Sequence, residues 1–164
     1  GPIAGKIIAW VGDGNNVAHS LMQTSIRLGM DFRIACPDGY DPDAAILAET
    51  RELAKMNGTS LVVTRDPREA VEGAHVIYTD VWASMGQEAQ ALERRAIFQP
   101  YQINDSLMSH AAADAIFMHC LPAKRNQEVT EDVMESPQSV VFDQAENRLH
   151  AQKALLVMML GRAR

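Results

Sequence analysis

The chain is short of cysteine, of clustered basic residues and of long apolar runs, and each shortage removes a class of protein. Only Cys36 and Cys120 occur among 164 residues. Two thiols are too few for the framework of a disulfide-stapled secreted domain, and they fit a reducing cytoplasm. Lys and Arg number 15 against 21 Asp and Glu, a net charge of −6. A nucleic-acid binder needs clustered cations to meet phosphates, so no nucleic acid is expected as a partner. No segment reaches the ~18 continuous apolar residues of a membrane span, so no membrane is expected either. The opening Gly1-Pro-Ile-Ala-Gly-Lys6 lacks the basic region and apolar core of a secretory signal. A start without methionine is expected of a segment of a longer chain. The histidines and cysteines show no CxxC or HxxxH spacing, so neither metal nor other cofactor is expected.

What is present suits one domain over residues 1–164: the composition is 47% hydrophobic, enough for a core at this length. Lys6–Val11 is a nearly continuous apolar run of strand length, as a central parallel strand requires. Further strands are expected at 32–36, 60–64, 75–79, 116–118 and 139–142. Helical spacing covers 17–29, 43–57, 66–72, 87–98, 104–109 and 131–135. A long helix is expected over 144–160, so apolar near its end (Ala154–Leu160) that something must cover it. Strands alternate with helices throughout. The expected fold is therefore α/β, a doubly wound, Rossmann-like, mostly parallel sheet with helices on both faces, in three layers.

Such folds bind ligands just beyond the carboxyl ends of their strands, so those stretches carry the candidate chemistry. Gly12-Asp-Gly-Asn-Asn16 opens the first helix. It has the start of a dinucleotide loop, but Val17 stands where the third glycine belongs and Asp13 would face a pyrophosphate. Asn side chains beside helix N–H groups suit a carboxylate better; the blander reading is that Asn15 or Asn16 only caps the helix. Asp80-Val-Trp-Ala-Ser-Met-Gly86 offers an acid for an ammonium and a flexible loop; the blander reading is an ordinary connection. His119-Cys120 ends a strand and Pro122 breaks it. The pair reads as nucleophile and base, or as core filler, and adjacent strand residues point to opposite faces. Arg148, near the start of the last helix, opposes the helix dipole and needs an anionic or carbonyl partner, unless it is simply solvated.

Gly12–Asn16, Asp80–Gly86, His119-Cys-Leu-Pro122 and Phe142-Asp-Gln-Ala-Glu-Asn-Arg148 follow one another in this order. Together they resemble the ornithine carbamoyltransferases, and within them the C-terminal, ornithine-binding half. The resemblance implies transfer of a carbamoyl group from carbamoyl phosphate to the δ-amine of L-ornithine. The products are citrulline and phosphate, a step of arginine biosynthesis and the urea cycle. It implies that Asn16 holds the α-carboxylate or α-amine of ornithine. Asp80, Ser84 and Met85 would hold its amino groups, with Ser84–Gly86 closing over them. Cys120 and Leu121 would contact the reacting end, and these two with Arg148 the carbamoyl phosphate. Cys120 and Asp80 would position and deprotonate the δ-amine, Cys120 as a thiolate favoured by neighbours such as Arg148. His119 and Arg148 would donate to the carbamoyl oxygen. The Ser-x-Arg-Thr loop of the family's other half is absent here. The expectation is a half-site with little activity alone, in a protein that is a trimer when whole and a monomer as this piece. Two other readings stay open: a nucleotide-binding domain of an oxidoreductase, and a non-catalytic amino-acid-binding module.

Overall fold

The computed structural model describes residues 2–83 and 91–161. Strands β1 (Ile7–Val11), β2 (Asp31–Ala35), β3 (Leu61–Thr64), β4 (Val76–Thr79) and β5 (Ile116–His119) form one sheet in the order β3-β2-β1-β4-β5. Every pairing is parallel. β1 sits centrally because Ile8, Ala9, Trp10 and Val11 are all buried, so it has no face to give to water. The period of two divides these side chains between two cores. Ile8 and Trp10 face α1 (Asn16–Arg27) and α2 (Ala44–Asn57), meeting Met22, Ile26 and Ala54. Ala9 and Val11 face α3 (Pro67–Val71), α5 (Asp105–Met108), α6 (Glu131–Met134) and the start of α7 (Val141–Leu160). The expected three layers are present.

The helix starts follow cap chemistry. Asn15 Oδ1 accepts from the N–H groups of Val17 and Ala18 at 3.0 and 3.1 Å, so Asn15 caps α1 and Asn16 is its first residue. Asp43, Asp66 and Asn104 do the same for α2, α3 and α5. Gly58 ends α2 at φ 66°, a left-handed conformation that glycine adopts at no steric cost. Between α3 and β5 the described chain also holds α4 (Ala91–Phe98), the later part of the helix expected over 87–98, and a 3-10 turn at Gln99–Tyr101.

The expected sixth strand at 139–142 is a correction. Ser139 makes one isolated bridge to Phe117, and Val140 donates once to the Phe117 carbonyl. Val141 then begins α7, three residues earlier than the sequence pattern suggested. A short apolar run has no period to tell a strand from a first helical turn. Here the turn wins because Val141 alone is buried while Phe142 is 65% exposed. The far end of α7 is uncovered among the described residues: Leu155 to Leu160 are all exposed, Met158 at 82%. No described helix is long and apolar enough to cross a membrane.

Candidate functional site

The strand order reverses at β1: the chain grows outward through β2 and β3 on one side, and through β4 and β5 on the other. The crevice beyond the carboxyl ends of β1 and β4 is therefore where a ligand fits. Thr79 pairs with His119 in the β4–β5 register, so the next residues of the two strands, Asp80 and Cys120, emerge side by side. The Cys120 thiol donates to Asp80 Oδ1 at 3.0 Å. Val81 N–H donates to the same oxygen at 2.8 Å. Asn15 Nδ2 donates to Asp80 Oδ2 at 3.0 Å, tying the β1 loop to the β4 loop. Gly12 makes room for this: at φ 142°, a Cβ there would press to 3.3 Å on Thr79 Oγ1, which donates to the Val11 carbonyl.

Above this cluster lies a cavity of about 490 Å³ lined by Asn16, Val17, Asp80, Val81, Ala83, Ala91, Cys120, Leu121, Pro122 and Lys124. Asn16, Asp80, Cys120 and Leu121, expected at the site, thus share one space. Arg148 does not enter it. It is exposed on α7 and lines a second hollow, of about 560 Å³, on which Cys120, Leu121 and Pro122 also open. The Cys120–Pro122 strip is a partition between a carboxylate on one side and a guanidinium on the other. Ser84 and Met85 lie outside the described residues.

His119 is a correction. It belongs to β5, where the sequence pattern ended the strand at Met118, and its ring is buried below the strip. Its Nδ1 accepts from Leu121 N–H at 2.9 Å, which leaves the proton of a neutral ring on Nε2. Nε2 lies 3.3 Å from Glu128 Oε1, itself fully buried. His119 lines neither hollow, and its two ring nitrogens are directed at the Leu121 N–H and at Glu128. Instead the ring holds Leu121 in a left-handed conformation, φ 56°, that a branched side chain rarely adopts. No hydrogen bond joins His119 to Cys120 among the described residues: the thiol donates to Asp80, and Nδ1 accepts from Leu121.

The thiol is a second correction. Burial first, then the hydrogen bond to Asp80 and its charge, push the Cys120 thiol from 9.0 up to about 12. That direction is opposite to the depressed pKa expected beside Arg148. One ring nitrogen of His119, the Cys120 sulfur and an Asp80 oxygen lie within 4.8 Å of one another, a metal-type grouping that local spacing does not reveal. As arranged, the thiol proton and the Asp80 oxygen meet in the hydrogen bond between them.

Two further residues escaped the sequence reading. Gln144 of α7 accepts from His119 N–H at 3.1 Å and donates to the Tyr78 hydroxyl at 2.7 Å, locking the helix to β4 and β5. Arg94, read only as part of a helix, is 5% exposed and ion-paired to Asp13. Its one sequence signal is the i,i+4 spacing to Phe98, which places both on the buried face of α4.

A model of the family "Aspartate/ornithine carbamoyltransferase, Asp/Orn binding domain" matches residues 4–159. The ornithine carbamoyltransferase of Thermococcus kodakarensis is 57% identical over 161 residues, which are 98% of this chain and 51% of that protein. The anabolic ornithine carbamoyltransferase of Pyrococcus furiosus is 56% identical over the same share of the chain. A solved ornithine carbamoyltransferase from Pyrococcus furiosus superposes with a TM-score of 0.92 at 56% identity, covering 98% of this chain and 52% of that one. The enzyme from Gloeobacter violaceus gives 0.87 at 48%, covering 97% and 53%. The chain spans about half the length of the curated relatives it matches. With the model matched over nearly its whole length, the chain belongs to the aspartate/ornithine carbamoyltransferase family, as an Asp/Orn binding domain.

Proposed function

We propose that these 164 residues form one domain, the ornithine-holding half of an ornithine carbamoyltransferase. The carbamoyl-phosphate-binding half would be supplied by a part of the protein beyond them. The observation that carries this is the Asp80–Cys120 contact at the switch point, with Asn16 in the same cavity. Asp80 draws in an ammonium of ornithine by charge, and Asn16 takes a polar group at the α-carbon end. The δ-amine must become neutral before it can attack. Asp80 is the carboxylate placed to receive the proton, and the Cys120 thiol orients it. The amine nitrogen then bonds to the carbamoyl carbon, the carbon–oxygen bond to phosphate breaks, and the electron pair leaves with phosphate, which takes up the second proton that the bonded nitrogen sheds. Arg148, across the strip, faces the side where oxyanion charge develops; a donor so placed is worth ~3–4 kcal/mol. Citrulline would serve arginine synthesis in the cytoplasm, in keeping with the relatives named anabolic, and the whole enzyme would be a trimer.

The dinucleotide alternative gains nothing from the geometry. Asp13 of the would-be phosphate loop carries a carboxylate held by Arg94, and Val17 lines the cavity where the third glycine would sit. Calorimetric titration with L-ornithine, repeated on Asp80→Ala, tests the proposal. Binding that the substitution abolishes supports it; equal heats from the two proteins would sink it. Incubated alone with both substrates, the chain is expected to yield no citrulline above background.

A further inference from the structure

Arg94 has no part in the chemistry above, yet it is the buried centre of a closed ring of contacts around that chemistry. Its guanidinium meets the Asp13 carboxylate and donates from Nε to the Trp82 carbonyl. Tyr40 lies under it at 4.7 Å and Phe98 at 5.0 Å, so it is held on its faces as well as its edges. Asp13 is two residues before Asn15, and Trp82 is two residues after Asp80. The Asn15–Asp80 hydrogen bond is the far side of the same ring. From Arg94 the path runs through Asp13 to Asn15, across to Asp80, on to Trp82 and back to Arg94. Two loops from non-consecutive strands are thus fixed at both ends of the link that holds Asp80 Oδ2.

We infer that Arg94 is a positioning residue: by holding Asp13 and Trp82 together it sets the direction of Asp80, and through Asp80 the hydrogen bond of the Cys120 thiol. This rests on the reading of Asp80 as the ornithine anchor. An ion pair that served only the core could be exchanged for apolar groups with little loss. A fork that must reach a carboxylate and a carbonyl at once cannot be exchanged so, and a lysine ammonium, a point charge, supplies only part of it. The electrostatics agree. Burial raises the pKa of Asp13, Arg94 acts against that, and the Asp80 charge adds to the rise. Two neighbouring carboxylates are therefore kept apart and directed by one cation.

The test reads Cys120 directly. Wild type, Arg94→Met, Arg94→Lys and the double variant Asp13→Asn/Arg94→Met are alkylated with iodoacetamide at pH 8. Cys120 and Cys36 are then followed separately by peptide mass mapping, with circular dichroism to check the fold. Freeing the thiol from Asp80 lowers its pKa, and each unit gives about tenfold more thiolate. Arg94→Met is expected to react about tenfold faster at Cys120, and Arg94→Lys about threefold, the intermediate value expected of a point charge. Fully buried Cys36 serves as the internal reference. The double variant is expected to recover thermal stability without recovering the slow Cys120. Folded variants whose Cys120 reacts within about twofold of wild type, well under one pKa unit, would overturn the inference. If Arg94→Met fails to fold, Arg94→Lys and the double variant decide by the same criterion. None of these readings uses ornithine, so absent ornithine binding in wild type would sink the proposed function and leave the ring to be judged alone.

Discussion

The two hollows on either side of the Cys120–Pro122 strip are built in opposite ways. On the Asp80 side the carboxylate is already engaged: Asp80 accepts from Val81, Cys120 and Asn15, and Asn15 also caps α1. On the Arg148 side the cation stands exposed on one helix, and no described ion pair involves it. One wall is prepared before a ligand arrives. The other offers charge that a ligand would have to organise. Preorganised groups favour a fixed geometry at low entropic cost, whereas an exposed Arg gains most when a partner excludes water from it. On the proposed function, the first hollow would hold a substrate and the second would meet a group whose charge changes during reaction.

The largest effect should come from the open side. With a carbamoyl-phosphate-binding half supplied, Arg148→Met is expected to lower turnover by ~10²–10³-fold, with the calorimetric ornithine affinity unchanged. Equal losses in affinity and turnover would erase the division between the hollows. Next, Asp80→Ala is expected to weaken ornithine binding ~30-fold or more, the usual cost of truncating a desolvated charge partner. A change below about threefold, under 1 kcal/mol, would place the anchor elsewhere.

A smaller effect concerns pH. The Cys120 thiol has its pKa raised from 9.0 to about 12 in the fold. Its folded state holds the proton more tightly than the unfolded chain does. That contribution to stability is full below the ordinary thiol pKa and is lost as pH rises from about 9 to about 12. Cys36, raised likewise by burial, acts in the same window. Cys120→Ser should therefore make the urea midpoint fall less steeply over that window; unchanged steepness would mean that the thiol is not so constrained. The smallest effect belongs to the uncovered end of α7. Met158→Lys should change the stability of this chain by no more than ~0.5 kcal/mol, since Met158 is already exposed. A larger loss would mean that something covers that helix.

Most of the sheet was legible because its signals are local. Ile7–Val11 is apolar without a break, and Asp43, Asp66 and Asn104 announce the helices they cap. Asp80 and Cys120 could be singled out because strand ends are where parallel sheets place their chemistry. The illegible parts are tertiary. Ser139–Phe142 has strand composition, yet a single bridge to Phe117 and the burial of Val141 alone start a helix there. The state of Cys120 depends on which charge it meets, and residues 40 positions away decide that. The burial of Glu128 against His119 leaves no periodic trace, and the spacing of Arg94 to Phe98 shows a buried face but not the partners that Arg94 meets.

The in-register pairing of Thr79 with His119 has a consequence for how such a site can change over time. Asp80 and Cys120 meet only because two neighbouring strands end level with each other. A slip of a single residue would send one of the two side chains to the opposite face of the sheet. The loops that follow these strands can steady the contact, but they cannot create it. A chain that keeps the contact must keep the alignment of Val76–Thr79 with Ile116–His119. The heritable unit of this chemistry is a shared finishing line, and the residues that keep it are the apolar ones, Ile77 and Phe117, which touch no substrate at all.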